Sequence, residues 1–194
     1  MRKAIAAAAL FAAVLPLWTA AGTQPISDAA AVALVRAAHQ LDIDPTVPPE
    51  GAFDRTRHPY VRVGGVPEGG SVGGYLDAAY AREGRLLDGT LALAIPLDSG
   101  GSGGVFTQLI FAGPDANRLA YAGHLDSGGH LGVDVAGGVI VARYPNYGPN
   151  DPNCCPSRFD VETYTIAGGK LRRIGSKTVP SASHPPQRRR GSPI

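Results

Sequence analysis

Two stretches of this chain carry side chains that could do chemistry. GPNDPNCCPS, residues 148–157, holds the only two cysteines, Cys154 and Cys155, as neighbours. GHLDSGGH, residues 123–130, places His124, Asp126, Ser127 and His130 within seven residues. Three readings of the thiols compete. They could close a vicinal disulfide, a small ring that locks the turn, and export to an oxidising compartment weighs toward it. Geometry weighs against it, because adjacent Cα atoms lie about 3.8 Å apart, below the usual disulfide range. They could instead pack as small hydrophobes. They could also bind a soft ion such as Cu(I), whereas zinc would want four ligands. Export makes the disulfide the leading expectation, with no metal assigned.

The loop around the thiols is stiff. Pro145, Pro149, Pro152 and Pro156 fix φ repeatedly and push the residues before them into extended conformations. Asp151 and Asn153 can fold back on nearby amides as Asx-turns. Asp151, Pro152, Asn153 and Pro156 are therefore the residues expected to shape the loop. The histidine stretch is weaker as a site. A Ser-His-Asp set depends on placement in three dimensions, not on proximity in sequence, and between two strands this run reads as a polar loop. His124 and His130 as metal ligands would need further ligands and supporting partners. SGGSGG, residues 99–104, lacks the Lys-Ser/Thr of a phosphate-cradling loop. His39 has no second ligand four residues on and reads as a packed or surface helix residue. HExxH and CxxC are absent. No catalytic residue and no cofactor is expected.

The elements that must position these residues follow from periodicity. Ser27 to Leu41 reads as the one confident helix, with Ser27 or Asp28 as cap and Val32, Val35 and His39 on one face. DIDPTVPPEG should end it. Residues 45–74 read as a Pro/Gly-rich loop region with one short strand, YVRV at 60–63. YLDAAYARE, 75–83, fits either helix or strand. From Thr90 the period changes to two: Leu91, Leu93, Ile95 and Leu97 alternate with smaller residues. VFTQLIF and RLAYAGHL follow as strands, and then two hairpins turn on Gly137-Gly138 and Gly168-Gly169. The expected fold is α+β, mostly β: an antiparallel meander sheet or partial barrel with one N-terminal helix.

Arg2 and Lys3, an apolar run from Ala4 to Trp18, and small residues near Ala21 form a secretory leader pattern, so residues 1–21 are expected to be cleaved. The apolar run is about 15 residues, short of the roughly 20 that span a bilayer. Residues 25–179 form a single expected domain, and 180–194, with Arg188, Arg189 and Arg190, a disordered basic tail. Residues 25–180 carry 13 basic and 16 acidic side chains, which gives no stripe for nucleic acid.

GPNDPNCCPS followed by TYTIAGGKL resembles the shared block of a group of exported bacterial proteins with a DPxCCPS loop between strands, among them the LppP/LprE-type lipoproteins. Asp151, Pro152, Cys154, Cys155, Pro156 and Ser157 match, and the likeness covers residues 120–175. The resemblance implies a small exported β-rich domain and brings no established activity. No lipidation cysteine stands near the leader junction, so secreted or periplasmic localisation without an anchor is expected. The leading function is a non-catalytic binding or structural domain at the cell envelope, with a cell-envelope component as partner and no nucleic acid. The alternative is an exported metal-handling or hydrolytic enzyme using the Cys-Cys loop or His124, Asp126 and His130.

Overall fold

In a computed structural model the chain is described over residues 26–49, 53, 56–64, 72–100, 104–127, 129–152 and 154–181. The expected leader and most of the expected tail lie outside these residues, as does Asn153. Helix α1 spans Asp28–Ala37. The Ser27 hydroxyl caps it by accepting the Ala30 amide at 3.2 Å. Asp28 in the first turn and Arg36 in the last complement the helix dipole. The helix is shorter than the expected Ser27 to Leu41. Ala38 turns extended at φ −95°, ψ 110°. Leu41–Ile43 then becomes β1, pairing antiparallel with β2, Tyr60–Val63. As a strand, Leu41 reaches the core beside Val61 and Val63. His39 consequently sits in an exposed turn outside the helix.

The Pro/Gly-rich stretch also yields β3, Val72–Leu76, where only loop was expected. Its glycines allow the pairing, since a Cβ on Gly74 would lie 2.7 Å from the Asp98 carbonyl oxygen. The ambiguous YLDAAYARE divides into the end of β3, a 3-10 turn at Ala78–Tyr80, and the start of β4, Arg82–Arg85. The strands β5 (Leu91–Asp98), β6 (Val105–Gly113) and β7 (Ala120–Asp126) complete a seven-stranded sheet ordered β1-β2-β3-β5-β6-β7, with β4 also on β5.

β3 and β4 share one edge of β5, pairing at Leu76↔Leu97 and Arg82↔Ala94. Pro96 lies in the gap between them. A proline inside a central strand usually leaves a ladder bond unmade. Here the Pro96 carbonyl points to the gap and accepts the Asp77 amide at 3.0 Å. The ring nitrogen, on that same side, has no ladder partner to miss.

β8 (Gly132–Ala136), β9 (Val139–Asn146), β10 (Arg158–Ala167) and β11 (Lys170–Pro180) form a second, antiparallel meander ordered β11-β10-β9-β8. Both Gly-Gly turns behave as their type requires: φ is 61° and 79° at Gly137 and Gly138, 59° and 73° at Gly168 and Gly169. The sheets meet where the Leu87 amide donates to the Gly138 carbonyl at 2.9 Å. They share no strand, so there is no closed barrel.

The alternation in β5 feeds two cores. Leu93, Ile95 and Leu97 join Leu109 and Phe111 against Ala31, Val32 and Val35 of the helix. Ala92 and Ala94, with Ile110 and Leu125, face Ile140, Ala142 and Val135 of the second sheet. The molecule is thus three layers: helix, large sheet, small sheet. The small alanine face lets the second sheet settle close. At the seam a Cβ on Gly84 would lie 2.6 Å from the Val135 carbonyl oxygen. β11 runs through Pro180, and Ser181 is buried with its amide donating to the Ser157 carbonyl at 2.8 Å. Residues 180 and 181 therefore belong to the folded body, not to the tail.

Candidate functional site

The cysteine loop joins β9 to β10 at one end of the small sheet. β9 continues to Asn146, so Pro145 is a strand residue, paired with Phe159. β8 ends its pairing at Gly132↔Arg143, and Pro145 lies past that point with no strand on its other side. Asp151 organises the loop. Its Oδ2 accepts the Gly148 amide at 2.6 Å and the Ser157 amide at 2.7 Å. The carboxylate thus ties the two ends of the loop together, a longer reach than the local Asx-turn expected of it. The Cys155 amide donates to the Pro152 carbonyl at 2.9 Å, and Pro156 is buried beneath. The sulfurs of Cys154 and Cys155 lie at bonding distance, with Cα atoms 3.8 Å apart. Cys154 is exposed and Cys155 half-buried.

The histidine stretch occupies the edge strand β7 and the turn after it. His124 pairs opposite Leu109 and Asp126 opposite Thr107. Two residues apart on a strand, the two side chains share a face, and His124 Nε2 lies 3.0 Å from Asp126 Oδ2. The second partner is Tyr121, whose hydroxyl lies 2.9 Å from His124 Nδ1. Regular alternation would put residues 121 and 124 on opposite faces. A register shift between Ile110 and Phe111, with Gly123 at φ 144°, inserts one residue and turns Tyr121 to the same side. Sequence periodicity had no way to register that bulge beyond the glycine itself. Burial, with the Asp126 charge nearby, pushes the Tyr121 hydroxyl up to about 12. Its ring stands edge-on to Phe111, with centroids 5.7 Å apart.

This arrangement leaves little for acyl-transfer chemistry. Both ring nitrogens of His124 already have partners, and Tyr121 holds its proton across the ordinary pH range. Ser127 points elsewhere: its hydroxyl donates to the Gly129 carbonyl at 2.7 Å. His130 is exposed in the following turn at φ 42°, near Gly104 rather than His124. Among the described residues no group of three or more His, Cys, Asp or Glu is disposed to hold a metal.

The two stretches do not converge. Gly123 abuts Leu171, which pairs with Ile166 on β10. The cysteine loop starts before Arg158, eight residues along that strand. At about 3.3 Å per residue this puts about 26 Å of strand between the two ends. His124 also faces the helix layer, through its pairing with core residue Leu109, whereas the loop hangs from the small sheet.

Between them lies a polar group that the sequence did not announce. Tyr144, Glu162, Tyr164 and Arg173 line the inner face of the small sheet. The Tyr164 hydroxyl donates to Glu162, the Tyr144 and Tyr164 hydroxyls lie 3.1 Å apart, and Arg173 Nη1 meets Glu162 Oε1 at 2.5 Å. Burial is the main cause that raises both tyrosines, and the hydrogen bond to Glu162 raises Tyr164 further. Each of these groups has a partner within the set, so the set stiffens the sheet end rather than presenting reactive groups. A cleft of about 420 Å³ opens at the far end, lined by Asp88, Thr90, Ala112, Pro114, Ile166 and Gly169. It contains neither a cysteine nor a histidine. No protein-family model, curated protein or solved structure matches the chain.

Proposed function

We propose that this chain is an exported, non-catalytic binding domain of the cell envelope, akin to the LppP/LprE-type proteins whose DPxCCPS loop it resembles. The observation that carries the reading is the division of its reactive side chains. The cysteine pair and the His124 cluster stand at opposite ends of β10, about 26 Å of strand apart, on different layers, and each is engaged internally. An enzyme using both would need them in one cleft. In this reading Cys154 and Cys155 form a disulfide whose task is to hold a loop clamped by Asp151, with no metal and no redox step. Alkylation and intact-mass measurement of the denatured, unreduced chain should then find no free thiol. Two alkylated thiols would remove the ring from the reading.

The decisive test is turnover. The purified domain, offered chromogenic esters, phosphoesters and glycosides with and without added divalent ions, should hydrolyse none above background. Turnover that disappears in His124→Ala, or in the Cys154→Ser/Cys155→Ser double variant, would replace the binding domain with the hydrolytic or metal-handling alternative.

A further inference from the structure

Formal charge is distributed very unevenly along this chain. Residues 25–194 carry 16 basic and 16 acidic side chains, so the net charge of that span is zero. Yet residues 167–194 hold seven basic side chains and no acidic one, while residues 25–166 hold nine basic against 16 acidic. The fold turns this sequence bias into a surface. Lys170, Arg172, Arg173 and Lys177 all lie on β11, the edge strand of the small sheet. Arg173 turns inward to Glu162. The register places the other three on the outer face, away from the core. Val161 pairs with Arg143 on one side and Lys177 on the other, Thr165 pairs with Arg172, and Ala167 with Lys170. Directly paired residues share a face, and Glu162, Tyr164 and Ile166 occupy the opposite one.

Arg143, Lys170, Arg172 and Lys177 are all exposed, and none makes an ion pair among the described residues. Arg143 and Lys177 flank Val161, which is buried to 8% among half-buried neighbours. Two strand spacings put their Cα atoms about 10 Å apart, and Arg172 follows about 13 Å further along. Between these cations the floor is flat and small: Val141, Thr163 and Gly175 form one row across the three strands. One carboxylate, Asp134 opposite Val141, sits at the β8 edge of the same face.

We propose that this outer face of the small sheet is a binding surface for a linear anionic polysaccharide. Cations spaced along a strand match charges repeated along a chain, and neutral molecules would gain nothing from them. The floor offers threonine hydroxyls, which suit sugar hydroxyls, and a single half-buried ring, Phe159, next to Val161 on the same face, whereas successive bases stack on a series of rings. One apolar side chain among these cations, Ile174 at the bulge of β11, is 59% exposed, and a single such side chain does not make the apolar face with which a surface enters a bilayer. The inference deepens the binding-domain reading and rests on it.

The test is titration of the chain (residues 25–194) with polygalacturonate at 20–200 mM salt, followed by fluorescence or calorimetry. Binding is expected at low salt and should weaken steeply as salt rises. Arg143→Glu/Lys177→Glu should weaken it at least tenfold. Arg36→Glu/Arg82→Glu, with the same change in net charge at exposed sites on the large-sheet side, should weaken it less than twofold. If the first double variant unfolds, Arg143→Gln/Lys177→Gln serves with an expected loss of at least fivefold. Equal losses in both pairs would reduce the effect to bulk charge and overturn the site. So would full loss on deleting residues 182–194 with no effect of the face variants, or tighter binding to single-stranded DNA or to phosphatidylglycerol vesicles. Absence of polygalacturonate binding overturns this inference alone. The non-catalytic reading stands or falls separately on the turnover assay.

Discussion

Asp151 does at the scale of one residue what a hairpin turn does for a shorter loop. Its carboxylate accepts two amides from opposite ends of the cysteine loop. Asp151→Ala leaves both donors unanswered and should destabilise the domain by about 1–3 kcal/mol in urea melts, the usual scale for orphaned polar groups. Asp151→Asn keeps an acceptor oxygen and should lose less. Asp44 provides a pH-dependent counterpart. Hydrogen bonds from the Thr46 hydroxyl and Arg62 lower its carboxyl from 3.8 to about 2. A folded value below the unfolded one means the contribution is fully present above the ordinary carboxylate range. It is lost as pH falls through about 2. Asp44→Asn should therefore lower the melting temperature at pH 7, and the gap to wild type should close as pH falls from 4 to 2. A gap that persists at pH 2 would assign the effect to packing instead. Tyr121 was missed for a reason that also sits at this scale. One inserted residue beside Gly123 puts Tyr121 on the same face as His124, three positions on.

At the scale of elements the glycines mark where strands approach. β4 reaches the second sheet because Gly84 has no side chain to hold it off, and Val135 fills that space. Gly84→Ala places a methyl 2.6 Å from the Val135 carbonyl oxygen. The seam must open, and a loss of about 2 kcal/mol or more is expected, the range reserved for overpacked cores. Gly137→Asn should be nearly neutral in the same melt, because asparagine tolerates the positive φ of that turn and a Cβ there meets nothing within 4 Å. The comparison separates crowding from turn geometry. The elements that departed from expectation did so by pairing. Leu41–Ile43 left the helix for β2, and Val72–Leu76 left the loop for β2 and β5. Both gains come from partners distant in sequence, which local propensity does not register.

For the whole molecule, the layered core reaches at least to Ser181, which docks on Ser157. Deleting residues 182–194 should leave stability within about 0.5 kcal/mol of the full chain, as for ordinary surface changes. Removing Val179, Pro180 and Ser181 as well takes away the last pairs of β11 with Arg158 and Phe159. That truncation should lose more than about 1 kcal/mol and loosen the cysteine loop, detected as faster amide exchange at Gly148 and Ser157. Equal behaviour of the two truncations would show that the end of β11 contributes nothing to the loop.

Period-two alternation, the Gly-Gly pairs and the Ser27 cap were enough to establish a mostly antiparallel protein with one N-terminal helix. Each of these signals is local: a strand's two faces, a turn's φ and a helix's first amides are set within a few residues. The proline-stiffened loop around Cys154 and Cys155 was legible on the same basis. Tertiary structure alone decided that both faces of β5 are buried, since an alanine face reads equally as solvated or as covered by a second sheet. It alone decided that the histidine and cysteine stretches lie on different layers. It also decided that Arg143 and Lys177, 34 positions apart in the chain, flank the same valine. Distances between residues remote in sequence depend on strand order and register, and these are settled by packing rather than by local preference.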